Sequence, residues 1–337
     1  MDKVELETLV RERFGFHVVE TVRDLAAGHI NRSLVVRTDD GDVVLQQMHR
    51  GAFPDPHAVM GNIERILDRL ERRNLSGMRF LRSVDGTWLA DSGGQCWRCY
   101  RYIDGSATPP ILTPEEAQAT ARAFGRFANA LDGLELVEHV PGYHDFDRRI
   151  SDFEASVEKD PEGRVSGAGE LIEHLLVLVD RVRLSSGFDA WKEVPRRNAH
   201  NDAKGPNCVV GPSGARTIID LDTTMPGTVL SDIGELVRSS TRELSEATPA
   251  ELMSQIEAVN RGFVAAFRAD LLEAERQAML LAGPLLTVEN AARFLADHLD
   301  GDHYYGASEP DQNLERSRVQ VLLAQRLIDA IEWATLN

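Results

Sequence analysis

One segment in the second half of the chain constrains its fold and chemistry more than any other. Residues 200–207 have the order H-x-D-x-K-x-x-N, and a turn at residues 211–214 and an apolar, strand-like run that ends at Asp220 follow. A residue that ends a buried strand has a rigid backbone, so the Asp220 carboxylate can point into a cleft. His200, which opens the segment, is predicted to support the loop through hydrogen bonds. Carboxylate and amide oxygens are the hard ligands that magnesium prefers, so the segment predicts a divalent-cation site next to the carboxylate of Asp202.

The spacing of these groups is typical of the catalytic loop of kinases and of the metal-binding aspartate that follows it. We predict that Asp202 accepts the proton of the attacking hydroxyl group and that Lys204 compensates charge on the transferred phosphoryl group. Asn207, Asp220 and Asp222 are the predicted magnesium ligands, and the alternative for Asp222 is that it holds the loop in place. These residue types are common in turns, so the joint pattern of loop, turn, strand and aspartate carries the prediction of a phosphotransferase.

Composition argues against several other kinds of protein. The 337 residues include 37 Lys and Arg against 54 Asp and Glu, a formal charge of −17, which argues against nucleic acid or an anionic membrane as partner. The chain has no apolar run of about eighteen residues, and its charged N-terminus lacks a signal-peptide core, so we expect a cytoplasmic protein. Three cysteines give no even disulfide framework, and Cys96-Trp97-Arg98-Cys99 has no second cysteine pair with which to bind zinc.

The order of predicted elements favours an α+β fold with two lobes, of the protein-kinase-like type. In residues 1–104 we predict an antiparallel sheet of five strands and one long helix over residues 56–73, where apolar side chains recur at helical spacing. The predicted strands cover residues 18–25, 33–38, the run that begins at 43, 77–84 and 94–103. Residues 105–337 are predicted to be mainly helical, with one strand pair around residues 208–221. The predicted helices of this lobe cover residues 113–131, 146–158, 170–183, 230–240, 249–269, 288–299 and 314–336.

Two stretches of the smaller lobe are predicted to bind ATP, since ligand sites favour the interface between domains. The turn around Gly28 and Asn31 consists of small residues, so its backbone N–H groups can approach phosphates closely. Arg101, Tyr102 and Ile103 join the two lobes. Their backbone is the predicted partner of the adenine edge, with Tyr102 or Ile103 packing against the ring.

The third strand of the sheet departs from the kinase pattern. Kinases carry a lysine there, paired with a glutamate of the following helix, whereas this chain has Gln46 and Gln47. Glu64 of the helix would then lack its usual lysine partner. A neutral amide supplies no charge, so we expect Lys204 and magnesium to carry more of the electrostatic stabilisation.

These residues together resemble the aminoglycoside phosphotransferase-like superfamily, whose members have a protein-kinase-like fold and phosphorylate hydroxyl groups of small molecules. The resemblance rests on His200-Asn201-Asp202, Asn207, Asp220-Leu221-Asp222 and Asp232. Within the superfamily the chain is most similar to the N-acetylhexosamine 1-kinases, most distinctively where Met225-Pro226-Gly227 follows Thr223. Further stretches of this similarity are Val44-Leu45-Gln46-Gln47, Phe53, Asn62-Ile63, Val157-Glu158-Lys159-Asp160, Gly163-Arg164, Phe294-Leu295-Ala296-Asp297, Gly301-Asp302, Tyr304-Tyr305, Asn313-Leu314 and Arg316.

The resemblance implies transfer of the γ-phosphate of ATP to the anomeric hydroxyl group of GlcNAc or GalNAc, with magnesium as cofactor. It also implies that the sugar lies between Asp202 and the helical lobe, and that the strand glutamine is typical of this subgroup. A pyranose needs hydrogen-bonding groups for its hydroxyls and an apolar platform for its C–H face. The predicted acceptor residues are Tyr304, Tyr305, Arg316 and Asp297, with His144 and Arg148 as further candidates.

The residues leave two other functions open. One is another small-molecule kinase of the same fold that acts on an aminoglycoside, an amino alcohol or a different sugar hydroxyl. A polycationic acceptor would need several acidic groups in its cleft. The other is a nucleotide-binding pseudokinase that serves as an interaction module, which the missing strand lysine favours and the presence of Asp202, Asn207 and Asp220 opposes. The sequence does not distinguish ATP from GTP and leaves the oligomeric state unknown.

Overall fold

An antiparallel sheet occupies the first third of the protein, whose computed structural model describes residues 3–25, 31–107, 113–267 and 270–336. The strands of this sheet are β1 (Val18–Leu25), β2 (Arg32–Thr38), β3 (Gly41–Gln47), β4 (Phe80–Leu81), β5 (Ala90–Ser92) and β6 (Gln95–Arg101). Their order is β1-β2-β3-β6-β4, and β5 also pairs with β6. The predicted sheet lacked β5. This strand forms because Gly93 and Gly94 adopt φ values of 60° and 74°, which suit a tight hairpin into β6.

The two faces of the sheet have different partners because side chains alternate along each strand. Val43 and Leu45 of β3 lie on one face with Trp97 of β6, where the apolar side of helix α1 (Lys3–Phe14) covers them. The other face carries Gln46 and its cross-strand neighbour Arg98, both of them buried. Two polar side chains thus lie side by side on the inner face of the sheet.

Helix α2 (Pro56–Arg72) connects β3 to β4 and confirms the helix predicted over residues 56–73. Asp55 caps it by accepting hydrogen bonds from the backbone N–H groups of His57 and Ala58, both at 3.0 Å. Its buried residues, among them Val59 and Ile66, belong to a large apolar cluster that continues into the helical part of the chain. The core therefore runs from α2 into the remainder of the molecule.

The rest of the described chain is mainly helical, as predicted. Its helices are α3 (Pro114–Leu131), α4 (Phe146–Lys159), α5 (Val165–Leu184), α6 (Ser186–Lys192), α7 (Val229–Thr241), α8 (Pro249–Ala266), α9 (Glu273–Ala278), α10 (Ala282–Leu299) and α11 (Gln312–Leu336). The short helices α6 and α9 were not predicted. Helix α5 begins earlier than predicted because the Asp160 carboxylate accepts hydrogen bonds from the N–H groups of Arg164 and Val165 at its start. Helix α10 also begins earlier, since Pro284 lies in its first turn, where its missing N–H group costs nothing.

Two small sheets hold the segment that carries the motif. In the first, β9 (Cys208–Val210) pairs with both β10 (Arg216–Ile218) and β7 (Ser106–Ala107). The second pairs β8 (Arg197–Ala199) with β11 (Met225–Gly227). The β9–β10 pair was predicted because the Gly and Pro turn at residues 211–214 joins its two strands. The strands β7, β8 and β11 are equally short and pair with strands distant in the chain, so no turn marks them, and they were not predicted.

The structure also shows the environment of the cysteines and the character of the helices. Cys96, Cys99 and Cys208 form no disulfide bond with one another, and all three are buried. Among the described helices, none combines the length and the apolar character needed to cross a membrane. The boundary between lobes at residues 104 and 105 remains a prediction.

Candidate active site

One buried carboxylate holds the backbone of the loop that carries Asp202. Asp232, in the first turn of α7, accepts hydrogen bonds from the N–H groups of His200 at 3.0 Å and of Asn201 at 2.8 Å. Asn201 has a positive φ of 62°, which asparagine tolerates better than most residues. The loop therefore turns sharply after β8 and presents Asp202 at its tip.

His200 supports this loop, as predicted. Its ring Nε2–H donates to the carbonyl oxygen of Ile219 at 3.0 Å, and its Nδ1 accepts from the N–H group of Asp202 at 3.3 Å. The ring is completely buried and packs edge-on against Phe124 and Phe127. Both ring nitrogens have backbone partners, so the imidazole holds the two ends of the motif together and takes no part in the chemistry.

Asp202 is arranged as an ionised base with one available oxygen. Its Oδ2 accepts hydrogen bonds from Lys204 Nζ at 2.8 Å and from Asn207 Nδ2 at 2.9 Å. In the described part of the chain no group donates to its Oδ1, which remains available to an acceptor hydroxyl. Burial raises the pKa of Asp202, but Lys204, His200 and Asn207 outweigh it and hold the pKa below its ordinary value. Likewise, burial lowers the pKa of Lys204, but Asp202 and Asp220 raise it above the usual range, so the ammonium stays charged.

Asp220 has the environment expected of a metal ligand. It adopts a left-handed conformation, with φ 60° and ψ 58°, directly after Ile219, whose N–H group donates to the carbonyl oxygen of Asn207 at 2.9 Å. The Asp220 carboxylate receives no hydrogen bond from any described residue. Burial raises its pKa to about 7, and the negative charges of Asp222 and Asp202 add to this. A divalent cation would relieve this repulsion, and it would invert the pKa shift.

Asn207 offers the second oxygen for such a cation. Its Nδ2 is directed at Asp202, donating to the carboxylate and, at 2.9 Å, to the backbone carbonyl oxygen, which leaves Oδ1 for a metal. The described residues contain no cluster of three or more His, Cys, Asp or Glu side chains that is able to hold a metal ion. The donor set thus fits a cation such as magnesium, which takes one or two protein oxygens and completes its shell with phosphate oxygens and water.

Asp222 has its side-chain partners in and next to the N-terminal sheet. Its Oδ1 forms an ion pair with Arg98 Nη1 at 2.6 Å, and its Oδ2 accepts a hydrogen bond from Asn31 Nδ2 at 2.7 Å. Arg98 and Asp222 are both almost completely buried. Of the two roles predicted for Asp222, these contacts favour the one in which it holds the loop. Sequence reasoning missed Arg98, although its signal was an arginine within an otherwise apolar strand.

The residues predicted to bind ATP are separated by the structure. Gly28 lies outside the described residues. Gln46 is on the inner face of the sheet, where its Oε1 accepts from Arg98, whereas Gln47 is on the opposite face and donates to Gln95 at 2.7 Å. Gln46 is therefore the residue that takes the place of the kinase lysine.

In the segment that joins the lobes, the predicted backbone donors already have partners. The N–H group of Arg101 donates to the carbonyl oxygen of Arg79 at 2.8 Å, and that of Tyr102 donates to Asp42 at 3.0 Å. The Arg101 guanidinium pairs with Asp40 on the outside of the sheet. The contact with adenine, through the remaining backbone groups of this segment and the side chain of Tyr102 or Ile103, stays a prediction.

Glu64 forms an ion pair with Arg82. Arg82 Nη2 donates to its carboxylate at 2.8 Å, and both side chains are about half exposed. The pair lies on the surface of the protein, so Glu64 is not a counterpart of the helix glutamate that orders the kinase lysine.

Two of the predicted acceptor residues, Asp297 and Arg316, hold the loop that carries Tyr304 and Tyr305. The Asp297 carboxylate accepts from the N–H groups of Tyr304 at 2.7 Å and of Tyr305 at 2.9 Å. Arg316 donates to the carbonyl oxygen of Gly306 at 3.2 Å and to the side chain of Asn313 at 2.7 Å. The two rings are in edge contact, with centroids 4.8 Å apart. Asp297 and Arg316 thus fix the loop, and Tyr304 and Tyr305 remain as the candidates for direct contact.

A cluster that sequence reasoning missed lies against these tyrosines. The guanidinium of Arg293, on α10, lies over the ring of Tyr143 at 5.2 Å and over that of Tyr305 at 5.5 Å. It has an ionic neighbour in Glu289 at 4.0 Å but, among the described residues, no hydrogen-bond acceptor. Burial raises the pKa of Tyr143 well above its usual range, although the charge of Arg293 opposes this. The next residue, His144, donates to the carbonyl oxygen of Asn201 at 2.9 Å, which connects the cluster to the catalytic loop. We name Tyr143, Arg293, Tyr304 and Tyr305 the tyrosine–arginine cluster.

Further buried polar atoms without partners lie in this cluster and next to it. The hydroxyl of Tyr305, in the cluster, and Oε2 of Glu289, beside Arg293, are buried and make no hydrogen bond with the described residues. Burial raises the pKa of Tyr305 to about 12, so its hydroxyl stays a donor. Unpaired buried polar atoms are uncommon in folded proteins, and here both belong to residues that contact Arg293. A ligand rich in hydroxyl groups would satisfy them.

The two further acceptor candidates have other roles. His144 Nε2 donates to the carbonyl oxygen of Asn201 at 2.9 Å, and its Nδ1 lies 2.8 Å from Glu289 Oε1. Both nitrogens face acceptors, as in a protonated imidazole. Burial lowers the pKa of His144, but Glu289 outweighs it and the pKa is raised. Arg148 donates to the carbonyl oxygen of Pro141 at 3.0 Å on the exposed side of α4.

Comparison with known proteins gives the family. A spectinomycin phosphotransferase in complex with ADP and spectinomycin superimposes with a TM-score of 0.64 at 11% identity, covering 98% of this chain and 99% of that one. An amicoumacin kinase in complex with AMP-PNP, Ca²⁺ and Ami gives 0.63 at 14% identity, with 97% and 95% covered. An aminoglycoside phosphotransferase from Alicyclobacillus acidocaldarius gives 0.62 at 15% identity, with 94% and 93% covered. These similarities confirm the predicted α+β, kinase-like fold. The model of the phosphotransferase enzyme family, named APH, matches residues 21–279, more than half of the chain, and this protein therefore belongs to that family.

Proposed function

We propose that this small-molecule kinase transfers the γ-phosphate of ATP to the anomeric hydroxyl group of an N-acetylhexosamine and releases the sugar 1-phosphate. The observation that carries the choice of acceptor is the tyrosine–arginine cluster, where a guanidinium to which the described residues offer no hydrogen-bond acceptor lies over two aromatic rings. His144, which follows Tyr143 in the chain, connects this cluster to the catalytic loop through the carbonyl oxygen of Asn201. The sequence resemblance to N-acetylhexosamine 1-kinases supports the same acceptor.

The proton transfer follows from the contacts of Asp202. Its pKa is held below the ordinary range, so the carboxylate is ionised at neutral pH and its unpaired Oδ1 can accept the proton of the acceptor hydroxyl. Lys204, bonded to Oδ2, orients the carboxylate and keeps its own positive charge near the transferred phosphoryl group. This arrangement is consistent with our expectation that, without a strand lysine, Lys204 carries more of the electrostatic stabilisation.

Asn207 Oδ1 and the Asp220 carboxylate would hold magnesium on the phosphates of ATP. The ion neutralises negative charge on the nucleotide and orients its phosphates when it is bound. ADP in the structure of the spectinomycin phosphotransferase, and AMP-PNP with Ca²⁺ in that of the amicoumacin kinase, support a nucleotide with a divalent cation. Magnesium itself is our proposal, based on the hard oxygen ligands.

The charge of the acceptor cluster favours a neutral sugar over a polycationic aminoglycoside. Arg293 brings a positive charge, which would repel an ammonium group at close range. The nearest buried carboxylate, Glu289, is already bonded to His144. A neutral pyranose would place its C–H face on the tyrosine rings, and its hydroxyl and acetamido oxygens would accept hydrogen bonds from Arg293.

An acceptor panel with ATP and magnesium tests this proposal. Turnover is measured by a coupled assay for ADP, and the position of the new phosphate by NMR of the product. We expect turnover of GlcNAc or GalNAc with phosphate on C1. Turnover with cationic amino alcohols or aminoglycosides alone would refute the proposed acceptor, and nucleotide binding without turnover on a broad panel would favour the pseudokinase.

A further inference from the structure

The inner face of the N-terminal sheet carries a buried cation that the chemistry described so far does not use. Arg98 is only 2% exposed, and each nitrogen of its guanidinium has a partner. Nε and Nη2 donate to Gln46 Oε1, at 2.8 Å and 2.5 Å, and Nη1 pairs with Asp222 Oδ1 at 2.6 Å and contacts Met60 Sδ at 3.6 Å. Because each guanidinium nitrogen already has a partner, Arg98 is not available to bind a phosphate itself.

The arginine is held by a row of side chains that crosses three strands. Gln46 of β3 lies opposite Arg98 of β6 and donates through Nε2 to the hydroxyl of Ser33 of β2 at 2.8 Å. Ser33 and Gln46 are in turn cross-strand neighbours. The row therefore has the rigidity of the sheet, and it ends at the carboxylate of Asp222.

A second connection reaches the same carboxylate from the end of the sheet. Asn31, just before β2, donates to Asp222 Oδ2 at 2.7 Å, and its own Oδ1 accepts from the N–H group of His49, just after β3, at 2.9 Å. Both oxygens of Asp222 are thus bound to the N-terminal sheet. The backbone carbonyl oxygen of Asp222 accepts from His139 Nε2 at 2.7 Å.

Holding Asp222 also places Asp220. The two residues belong to one tight segment, in which the left-handed residue Asp220 precedes a single 3-10 turn over Leu221–Thr223. The Thr223 hydroxyl donates to the carbonyl oxygen of His200 at 2.7 Å, which joins this turn to the catalytic loop. A shift of Asp222 would therefore move the Asp220 carboxylate relative to Asn207, and the metal site would lose its shape.

We infer that Arg98 is a positioning residue: held by Gln46 and paired with Asp222, it fixes the metal-binding Asp220 against the N-terminal sheet. The inference rests on the proposed function and concerns how its metal site is built. A planar guanidinium with five N–H donors can hold an amide and a carboxylate at once, which one ammonium group cannot do in the same geometry. The cation is stable in this position, since burial lowers the pKa of Arg98 but Asp222 outweighs it.

Binding of ADP with and without magnesium, followed by calorimetry, tests the inference without depending on turnover. In the wild type, magnesium should strengthen ADP binding. Arg98→Lys keeps the charge and loses the fork, and we expect the magnesium-dependent gain to fall about 10- to 100-fold, as for other residues that orient metal ligands. Affinity for ADP without metal should change less than about twofold. The matched control is Arg82→Lys, since this arginine directly follows β4 and is about half exposed, and the variant should behave as wild type.

The outcomes separate this inference from the proposed function. A folded Arg98→Lys with the magnesium dependence of the wild type would overturn the positioning role. If that variant does not fold, Gln46→Met and Asn31→Ala replace it, since each removes one of the two connections and keeps the buried ion pair; unchanged magnesium dependence in both would also overturn it. A wild-type protein whose ADP binding ignores magnesium would instead refute the proposed metal site, and the inference with it.

Discussion

Replacing Arg293 by methionine should separate substrate binding from stability. The guanidinium is about 10% exposed and makes no hydrogen bond within the described chain, and its one ionic neighbour, Glu289, is 4.0 Å away. Methionine fills a similar volume without the charge. The free enzyme therefore loses a desolvated cation and its contacts with the rings of Tyr143 and Tyr305, effects that oppose each other. We expect the melting temperature to change by at most about 1.5 °C, which corresponds to about 1 kcal/mol for a protein of this size.

The cost should appear in the reaction with the sugar. A hydrogen bond from a charged donor contributes about 1.5–3 kcal/mol, and about 1.4 kcal/mol corresponds to a factor of ten. For Arg293→Met we therefore expect kcat/KM for the sugar to fall about 10- to 100-fold, with KM for ATP unchanged within about twofold. Initial rates at varied sugar and varied ATP, with a melting curve for each variant, measure both quantities.

Arg238→Met is the matched comparison, because it removes a second largely buried arginine that is fully paired. Arg238 donates through Nε and Nη2 to Glu235, at 3.0 Å and 2.6 Å, and its loss leaves that carboxylate buried without its cation. Breaking such a pair costs about 3–5 kcal/mol, so this variant should melt clearly earlier. The reasoning on Arg293 is refuted if Arg293→Met melts as early as Arg238→Met while its kcat/KM for the sugar stays within about twofold of wild type.

Three other predictions follow from the site. Asp202→Asn should lower kcat by about 10²- to 10⁴-fold and keep the affinity for ADP, measured by calorimetry; a rate near wild type would contradict its role as base. Asp297→Ala releases the backbone of the two tyrosines, so KM for the sugar should rise at least about threefold with KM for ATP unchanged, and equal changes in both would argue for general loosening. The pKa of His144 is raised in the folded state, so its pairing with Glu289 stabilises the protein fully below pH about 6.5 and loses this effect as pH rises through the folded pKa. The melting temperature should fall over that range in the wild type and less in Glu289→Gln, and identical pH profiles would exclude the pair as the cause.

The parts of the fold that the sequence predicts well are those with local causes. Thr113, Pro114 and Glu116 form a capping box with proline in the first turn, and α3 begins there as predicted. The spacing from His200 to Asp220 determines which groups meet around Asp202, because a short loop and one hairpin leave the chain few other paths. The first residues of α5 and α10 were predicted less well, because the first turns of these helices contain glycine or proline. Caps and tertiary packing override the low helix propensity of these residues.

What the sequence does not reveal is which long side chains find a partner. Asp297 and Arg316 lie where the acceptor site was predicted, yet their contacts are with backbone groups and Asn313. Arg293 lies beside them and has no such partner, but in the sequence it is one more arginine on a helix. The difference depends on residues from distant elements, such as Tyr143, and no local pattern records it.

Pairing therefore distinguishes the roles of two buried arginines in a chain whose net charge is −17. Desolvating a guanidinium is costly, and the cost persists unless acceptors replace the lost water. For Arg98 the replacements are Gln46 and Asp222, so this residue is complete without ligand and contributes to the scaffold. For Arg293 the described protein provides only rings and one carboxylate at 4.0 Å, so its hydrogen bonds are left to water or to a bound ligand. A residue that the described protein leaves without acceptors is where a substrate gains the most, and this is why we place the sugar against Arg293 rather than against the better-paired residues around it.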